Sequence, residues 1–438
     1  MIVGGGISGL ALAFFLRQRG GTVTVLEAAA VPGGTARTVE RDGFLLETGP
    51  SSVLDRDGEV RALADAVGVQ LRPASAAASR RAVVVGGRVR MLPSSPPALL
   101  GSDVLPLGAR LRLLLEPFTQ RGPAGVDESL GDFARRHLGR TVAATMVDAL
   151  QTGIWAGDME RLSAASAFPR LVALERAHRS LILGALKTRR VGAAAGPSGL
   201  ASVEGGLGAL TGAMARALGD RVWLGAPVTE VSHAGDAWLV TTPRSTVPAE
   251  RLVLALPPHR AAALLHPLDA DLADALAAFP YVAVAVVHLG YRPALDPAPE
   301  GFGFLVPPGE HRDILGAIYA SSAFPFRVQG GGTLLTVLLG GAHRPELVAR
   351  EDAQLVDAAR AELRALLGVE RAPTLTEVVR WPHAIPQYNL GHARRVESAM
   401  ALAGHWPGLT LAGNGYRGAG IADCVRSARE LAGQLIPA

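Results

Sequence analysis

A glycine pattern near the amino terminus constrains the fold of this chain more than any other feature. Gly4, Gly6 and Gly9 have the spacing that lets a strand turn sharply into a helix and lets a pyrophosphate approach the backbone. They follow an apolar segment, residues 1–3, and precede residues 10–19, whose apolar positions recur with helical spacing. The amino terminus of such a helix offers unpaired N–H groups to phosphates. The pattern predicts a dinucleotide-binding unit.

An acidic residue completes this unit. Residues 22–26 are apolar and β-branched, which predicts a second strand, and Glu27 follows it directly. A carboxylate at that place accepts hydrogen bonds from ribose hydroxyls. The alternative is that Glu27 is a solvated turn residue that binds no ligand.

Composition narrows the class of protein. A chain of 438 residues has room for two or three domains, and 49% apolar residues indicate a globular protein. The single cysteine, Cys424, excludes an internal disulfide and a cysteine-rich zinc site. The net charge of +4 comes from arginines that form no block of like charge, so we expect no nucleic-acid partner. An arginine-rich surface suits an acidic substrate or an anionic lipid.

We expect neither a targeting segment nor a metal site. The first residues lack a charged segment followed by a cleavage site, so we expect no signal peptide and a cytoplasmic location. No apolar run reaches the ~18 residues that a membrane-spanning helix needs. The histidines at positions 178, 259, 383 and 392 fit no metal-binding spacing, and we interpret them as structural.

Two further segments resemble the amine-oxidase-like flavoproteins. Gly33, Gly34 and Arg37 follow Glu27 closely and resemble that family's second FAD fingerprint, and LAGNGYRGAGIADC (411–424) resembles its segment around the flavin ring. The resemblance implies FAD, bound non-covalently because Cys424 lies past the glycine turn. No second glycine motif of this kind follows a strand, so we expect no NAD(P)H site and expect oxygen or a quinone as the final electron acceptor.

The chain as a whole resembles the protoporphyrinogen oxidases. Its segments follow the order of that family, and few other flavoproteins combine GFGFLVP with IPQYNLGH. The segments that carry the resemblance are LETGPSSV (46–53), RRAVVVGGRVRMLP (80–93), ALQTGIWAGDMERLS (149–163), HRSLILG (178–184), GFGFLVP (301–307), LGAIYASSAFPF (315–326), TVLLGGAHR (336–344) and IPQYNLGH (385–392). Amine oxidation is not expected, because Lys187, the one lysine, is far in sequence from either FAD segment.

The resemblance also implies roles for single residues. Phe302, Leu305 and Leu338 fall where the family sandwiches the tetrapyrrole, although each could be a plain core residue. Arg81 falls where an arginine faces a propionate, the alternative being a surface arginine at a strand end. Gly153 falls where a backbone carbonyl faces the reacting carbon. The FAD residues implied by the motifs and the resemblance are Gly4, Gly6, Gly9, Glu27, Gly33, Gly34, Arg37, Val228 (beside the adenine), Gly413, Gly420 and Ile421.

The activity that the resemblance implies is the oxidation of protoporphyrinogen IX to protoporphyrin IX in haem biosynthesis. Six electrons leave in three steps, with three O2 reduced to three H2O2, and no side chain need act as acid or base. Product handover to a ferrochelatase and a monomer or homodimer are also expected. The alternatives are oxidation of coproporphyrinogen III, desaturation or isomerisation of a polyene, and a non-catalytic FAD-stabilised scaffold.

The expected fold class is α/β. A discontinuous Rossmann-like FAD-binding domain (1–70, 200–265 and 385–438) is joined to an α+β substrate domain (71–92 and 266–384). A helical insert (93–190) is expected to attach peripherally to the inner face of the cell membrane. Its apolar residues 93–115, with Arg110 and Arg112, motivate this prediction, and the alternative is an ordinary helical subdomain.

Overall fold

The computed structural model describes residues 1–93, 98, 101–122, 125–192 and 199–437. Five parallel strands form its first sheet, with Ile2 opposite both Val25 and Val253. Because neighbouring residues of a strand face opposite sides, Ile2 packs into one hydrophobic cluster and Val3 into another. In spatial order the strands are Val222–Trp223, Val25–Leu26, Ile2–Val3, Leu252–Leu254 and Leu409–Leu411.

Different layers cover the two faces of the parallel sheet. The first face carries the helices Ile7–Gln18, Glu59–Ala66, Leu207–Leu218 and Ile421–Leu435. The second carries the antiparallel strands Glu230–Ala234, Ala237–Thr241 and Thr246–Ala249 with the helices Pro258–Leu265, Ala270–Ala277 and His392–Ala403. Helix Ala270–Ala277 thus packs against the parallel sheet, although its sequence lies in the range that we assigned to the substrate domain. The domain ranges stay a prediction.

A seven-stranded sheet forms the second part of the structure. Strand Gly303–Leu305 pairs in parallel with Arg81–Val85, and the other pairs are antiparallel. Helix Asp352–Leu367 covers one face, where Leu355 meets Val287 and Val337 in a buried cluster. The strands in spatial order are Leu375–Pro386, Tyr281–Tyr291, Thr333–Gly340, Ile314–Tyr319, Gly303–Leu305, Arg81–Val85 and Arg88–Met91.

Short strands and a buried polar network link the two large sheets. The carboxylate of Glu47 accepts hydrogen bonds from the Leu207 amide (2.9 Å) and from the guanidinium of Arg327 (3.2 Å). The main-chain carbonyl of Glu47 accepts the Nε2–H of His288 at 3.0 Å. The short strands are Thr38–Arg41 paired with Phe44–Glu47, and Leu200–Val203 between Val53–Leu54 and Leu71–Pro73.

A helical layer occupies most of the range 93–190. Its interior is largely apolar but contains a polar group: the buried Glu116 carboxylate accepts hydrogen bonds from the Leu181 amide (2.7 Å) and from Nδ1 of His137 (3.0 Å). The helices are Leu107–Leu114, Leu130–Leu138, Arg140–Val142, Asp148–Trp155, Ala164–Ala167, Pro169–His178 and Leu181–Gly192, with a π-helical turn at Ala143–Val147. Part of the apolar segment 93–115 lies outside the described residues. Within the described part of the chain, no helix has the length and apolar character needed to cross a bilayer.

Candidate cofactor site and substrate cavity

The glycine turn after the first strand leaves open space at the amino terminus of helix Ile7–Gln18. Gly6 precedes that helix, which has no side-chain cap, and a Cβ atom at Gly6 would meet no protein atom within 4 Å. The other two glycines are closely packed, since a Cβ at Gly4 would lie 2.4 Å from the Ala255 carbonyl oxygen and one at Gly9 would lie 2.0 Å from that of Gly4. The free helix end can therefore receive a phosphate.

Glu27 is fixed beside this turn. Its carboxylate accepts hydrogen bonds from the amides of Gly5 at 2.6 Å and Ala29 at 2.8 Å. The chain that leads to Val228 runs alongside, with the Ala226 amide bonded to the Glu27 carbonyl at 2.9 Å. Glu27 and Val228 thus lie at one end of the glycine turn, where a ribose and an adenine would follow the pyrophosphate.

The second glycine pair packs on the first turn. The Gly33 amide donates to the Gly5 carbonyl at 2.8 Å, and a Cβ at Gly34 would lie 3.3 Å from the Cα of Gly6. Arg37 is half-buried, its guanidinium is 5.8 Å from the ring centroid of Trp381, and its Nε has no hydrogen-bond partner. A buried N–H without a partner is costly, and a phosphate oxygen would satisfy it.

The carboxyl-terminal segment brings a second free helix end to the same place. Gly413 follows strand Leu409–Leu411 with φ +118°, and Gly420 precedes helix Ile421–Leu435 without a side-chain cap. Ile421 is buried in the same cluster as Leu10 of the first helix. The open space at Gly6, the unpartnered Arg37 Nε and the two free helix ends fit the phosphates and ring of FAD.

The thiol nearest to this site is unreactive. Cys424 lies in the first turn of helix Ile421–Leu435 and is buried. Burial raises the pKa of its thiol to about 11, so the thiol stays protonated at neutral pH. A protonated, buried thiol is a poor nucleophile toward a flavin.

A cavity of about 780 Å³ lies between the seven-stranded sheet and the helical layer. It is lined by all five residues that the resemblance assigned to the substrate side, namely Gly153, Arg81, Phe302, Leu305 and Leu338. Of the described residues around it, Arg81 alone carries a charge, and nearly all the rest are apolar. Such a cavity suits a large apolar ligand with a negative group at one end.

Arg81 and its neighbour Arg80 have different surroundings. The Arg81 guanidinium lies 5.5 Å from the centroid of the Phe302 ring, while Arg80 forms an ion pair with Glu300 and does not line the cavity. Among the described residues, no carboxylate pairs with Arg81. Arg81 therefore remains available to an anionic ligand.

Gly153 is needed for the packing of the cavity wall. It lies on helix Asp148–Trp155, and a Cβ at this position would be 2.7 Å from Cδ2 of Leu305. The absence of a side chain lets the helix backbone approach strand Gly303–Leu305 and reach the cavity. Any larger residue would displace Leu305.

Sequence reasoning missed several residues of the site. Trp381 lies beneath the guanidinium of Arg37 and donates its indole N–H to the Thr48 carbonyl at 2.6 Å. The only sequence signal for this residue is its position shortly before IPQYNLGH. Ile385 belongs to that motif and lines the cavity. Ile154 and Ile182 line it from the helical layer, where helical periodicity alone does not separate a cavity residue from a core residue.

Comparisons with known proteins agree with this geometry. The family model described as flavin-containing amine oxidoreductase matches residues 7–436. A chloroplastic protoporphyrinogen oxidase of rice, Oryza sativa, is 34% identical over 99% of this chain and 87% of its own length. Coproporphyrinogen III oxidase of Bacillus subtilis is 30% identical over 97% of this chain and 95% of its own length.

A solved structure extends the comparison to the fold. A protein of Exiguobacterium sp. assigned as a protoporphyrinogen oxidase superposes with a TM-score of 0.87 at 25% identity, covering 99% of this chain and 98% of its own. The predicted α/β fold, with a Rossmann-like FAD-binding domain and a substrate domain, is confirmed, as is the predicted cofactor, FAD. The chain belongs to the flavin-containing amine oxidoreductase family.

Proposed function

We propose that this protein oxidises protoporphyrinogen IX to protoporphyrin IX with FAD as its cofactor and oxygen as the final acceptor. The observation that carries the proposal is the cavity, whose described lining is apolar except for Arg81 and Thr152. Protoporphyrinogen IX is a large apolar macrocycle with two propionates on neighbouring pyrroles, so its charges lie together at one edge. The rice relative is a protoporphyrinogen oxidase.

The residues of the cavity would bind and orient the macrocycle. Phe302, Leu305 and Leu338 would contact its faces, Arg81 would pair with a propionate, and Gly153 would offer only backbone to the ring. FAD, when bound, supplies the electron acceptor for each two-electron step. No carboxylate, histidine or lysine is among the described lining residues, so the protons that leave the pyrrole N–H groups would pass to solvent rather than to a side chain of the wall.

Oxidation of coproporphyrinogen III is the second candidate, because the Bacillus subtilis relative is a coproporphyrinogen III oxidase. That substrate carries four propionates distributed around the ring. Each carboxylate placed against an apolar wall would lose its hydration without a partner, which costs several kcal/mol. The single charged residue in the described lining therefore favours the substrate with fewer carboxylates. A polyene without charge would leave Arg81 without a partner.

An anaerobic experiment tests this proposal. Holoprotein mixed with protoporphyrinogen IX in the absence of oxygen should lose the visible absorbance of oxidised flavin, because each flavin accepts two of the six electrons. Porphyrin fluorescence should develop fully only when oxygen is readmitted and the flavin turns over. Readmitted oxygen should restore the flavin absorbance and produce peroxide. A flavin that stays oxidised with protoporphyrinogen IX but is reduced by coproporphyrinogen III would assign the second candidate.

We also propose that the helical layer attaches to a membrane surface through its exposed apolar side chains. Large apolar side chains are exposed around the mouth of the cavity. Three of them also line the cavity, namely Leu114, Leu150 and Ile154. Phe118 is 84% exposed and Leu107 is 63% exposed, and both add to the apolar surface of this layer. Arg112 does not contribute a free charge, since it is half-buried and donates to the Arg136 carbonyl at 2.9 Å.

Liposome flotation tests the membrane contact. Wild-type protein should float with anionic vesicles at low salt, and the double variant Leu107→Asp/Phe118→Asp should remain at the bottom. Leu390→Asp, which changes an exposed leucine outside this layer, is the matched control and should float. Wild-type protein that stays at the bottom would show that these residues form an ordinary exposed subdomain.

A further inference from the structure

Arg56 lies near the mouth of the cavity, and its side chain makes no contact with the described residues that would explain a role in folding. Arg56 follows strand Val53–Leu54 by two residues, and Leu54 and its strand partner Leu200 both line the cavity. A Cβ atom placed on Gly199 would lie 3.8 Å from the Cα of Arg56, so the two backbone segments are close together. Arg56 is thus held beside the part of the cavity wall that Leu54 and Leu200 form.

The carboxylates next to Arg56 are engaged elsewhere. Asp55 accepts hydrogen bonds from the amides of Val60 and Arg61 at 3.2 and 3.0 Å, and so caps helix Glu59–Ala66. Asp57 pairs with Arg426 at 2.9 Å and with Arg170 at 3.8 Å. Among the described residues, Arg56 forms no ion pair of its own.

The surroundings of Arg56 are positive. Burial lowers the pKa of its guanidinium, and the charges of Arg170 and Arg81 lower it further, while Asp57 opposes them. Because Asp57 is shared with Arg426 and Arg170, the arginines around Arg56 outnumber the carboxylate that opposes them, which favours a bound anion. Since Arg81 faces the cavity, the anion would be part of the cavity's ligand.

We infer that Arg56 and Arg81 form a pair of cationic contacts that receives the two neighbouring propionates of one substrate molecule, one carboxylate to each arginine. Arg56 is then a specificity-determining residue that selects macrocycles with two adjacent carboxylates at one edge. This inference rests on the proposed function. It adds to it the group that binds the second carboxylate.

A charge-dependent comparison tests the pair. Protoporphyrinogen IX and its dimethyl ester, in which both carboxylates are masked, are each assayed with wild type, Arg56→Ala and the control Arg61→Ala. Because Arg56 is exposed, we expect Arg56→Ala to raise the KM for the diacid by about three- to ten-fold. The KM for the diester should not change, and kcat should stay near the wild-type value. Arg61→Ala, on the neighbouring helix, should behave as wild type with both substrates.

The possible results separate this inference from the proposed function. Equal effects of Arg56→Ala on diacid and diester would indicate a structural role, and an unchanged KM for the diacid would also overturn the pair. Wild-type protein that oxidises neither porphyrinogen would contradict the proposed function instead. In that case the affinity for protoporphyrin IX, measured by its fluorescence, still tests the pair, because Arg56→Ala should weaken binding of the diacid only.

Discussion

Replacement of Arg81 by alanine should separate substrate recognition from folding. Arg81 lines the cavity, lies 5.5 Å from the Phe302 ring and has no carboxylate partner among the described residues. A hydrogen bond to a charged group contributes roughly 1.5–3 kcal/mol, and each ~1.4 kcal/mol corresponds to about a factor of ten. Because Arg81 is exposed to solvent, the lower end of this range applies. Arg81→Ala should therefore raise the KM for protoporphyrinogen IX about ten-fold.

The assay is steady-state porphyrin fluorescence, with the FAD content measured on the same preparations. Arg81→Ala should keep its FAD, because Arg81 lies outside the cofactor site. Its kcat should also fall if the propionate contact sets the position of the macrocycle. Arg81→Lys should recover only part of the loss, since an ammonium cannot reproduce the two-pronged contact of a guanidinium.

Arg80→Ala is the matched control, since Arg80 pairs with Glu300 away from the cavity. It should leave KM and kcat near the wild-type values. A loss of turnover in Arg80→Ala with none in Arg81→Ala would show that the assignment is displaced by one residue. Unchanged kinetics in both variants would place the propionate site elsewhere and refute the reasoning.

Three further predictions concern the cofactor and stability. Gly6→Val should fold but purify colourless, because a Cβ at this position meets no protein atom within 4 Å and the side chain would enter the space of the pyrophosphate; a variant with full flavin content would contradict this. Acid precipitation should release yellow FAD into the supernatant, since Cys424 is buried and protonated; flavin left in the pellet would indicate a covalent link. Burial lowers the pKa of His288 to about 4 from its ordinary value of 6.5, so the unfolded chain binds a proton in this range that the folded chain does not. The free energy of unfolding should fall by up to about 3 kcal/mol between pH 6.5 and 4. Denaturant titrations should find a weaker pH dependence in His288→Gln, and an equal dependence would exclude His288 as its cause.

Short sequence patterns were enough to predict the helix that follows the first glycine turn of the parallel sheet. Residues 10–19 were expected to be helical, and the helix is Ile7–Gln18, because Gly6 starts it and the turn residues after Gly6 already adopt helical geometry. The last helix begins at Ile421, directly after Gly420. In both places a glycine that precedes a helix determines the boundary, so the pattern is visible over a few residues.

The long-range arrangement of the cavity was not predictable from such patterns. Strand Arg81–Val85 pairs in parallel with Gly303–Leu305, which is far away in sequence, and this pairing places Arg81 beside Phe302. Gly153 reaches the same wall only because it has no side chain, since Leu305 occupies the space that a side chain would need. The resemblance supplied these residues as a set, whereas periodicity described each of them equally well as core.

The surroundings of charged residues were also hidden from the sequence. Arg112 was expected to face lipid head groups, yet its guanidinium bonds to a carbonyl of the neighbouring helix Leu130–Leu138. Arg56 carried no sequence signal at all, because its significance depends on Arg81 and on the engagement of Asp57 by Arg426. Which arginines are left without a carboxylate depends on tertiary packing, and composition does not contain that information.

The central claim is that the cavity selects protoporphyrinogen IX, and a comparison of kcat/KM for two porphyrinogens tests it directly. Purified holoprotein is given protoporphyrinogen IX and coproporphyrinogen III in air, each at several concentrations, and kcat/KM is determined for each from porphyrin fluorescence with peroxide followed in parallel. We expect the larger kcat/KM for protoporphyrinogen IX, with three molecules of peroxide formed per porphyrin. A larger kcat/KM for coproporphyrinogen III, or porphyrin formation without peroxide, would contradict the account.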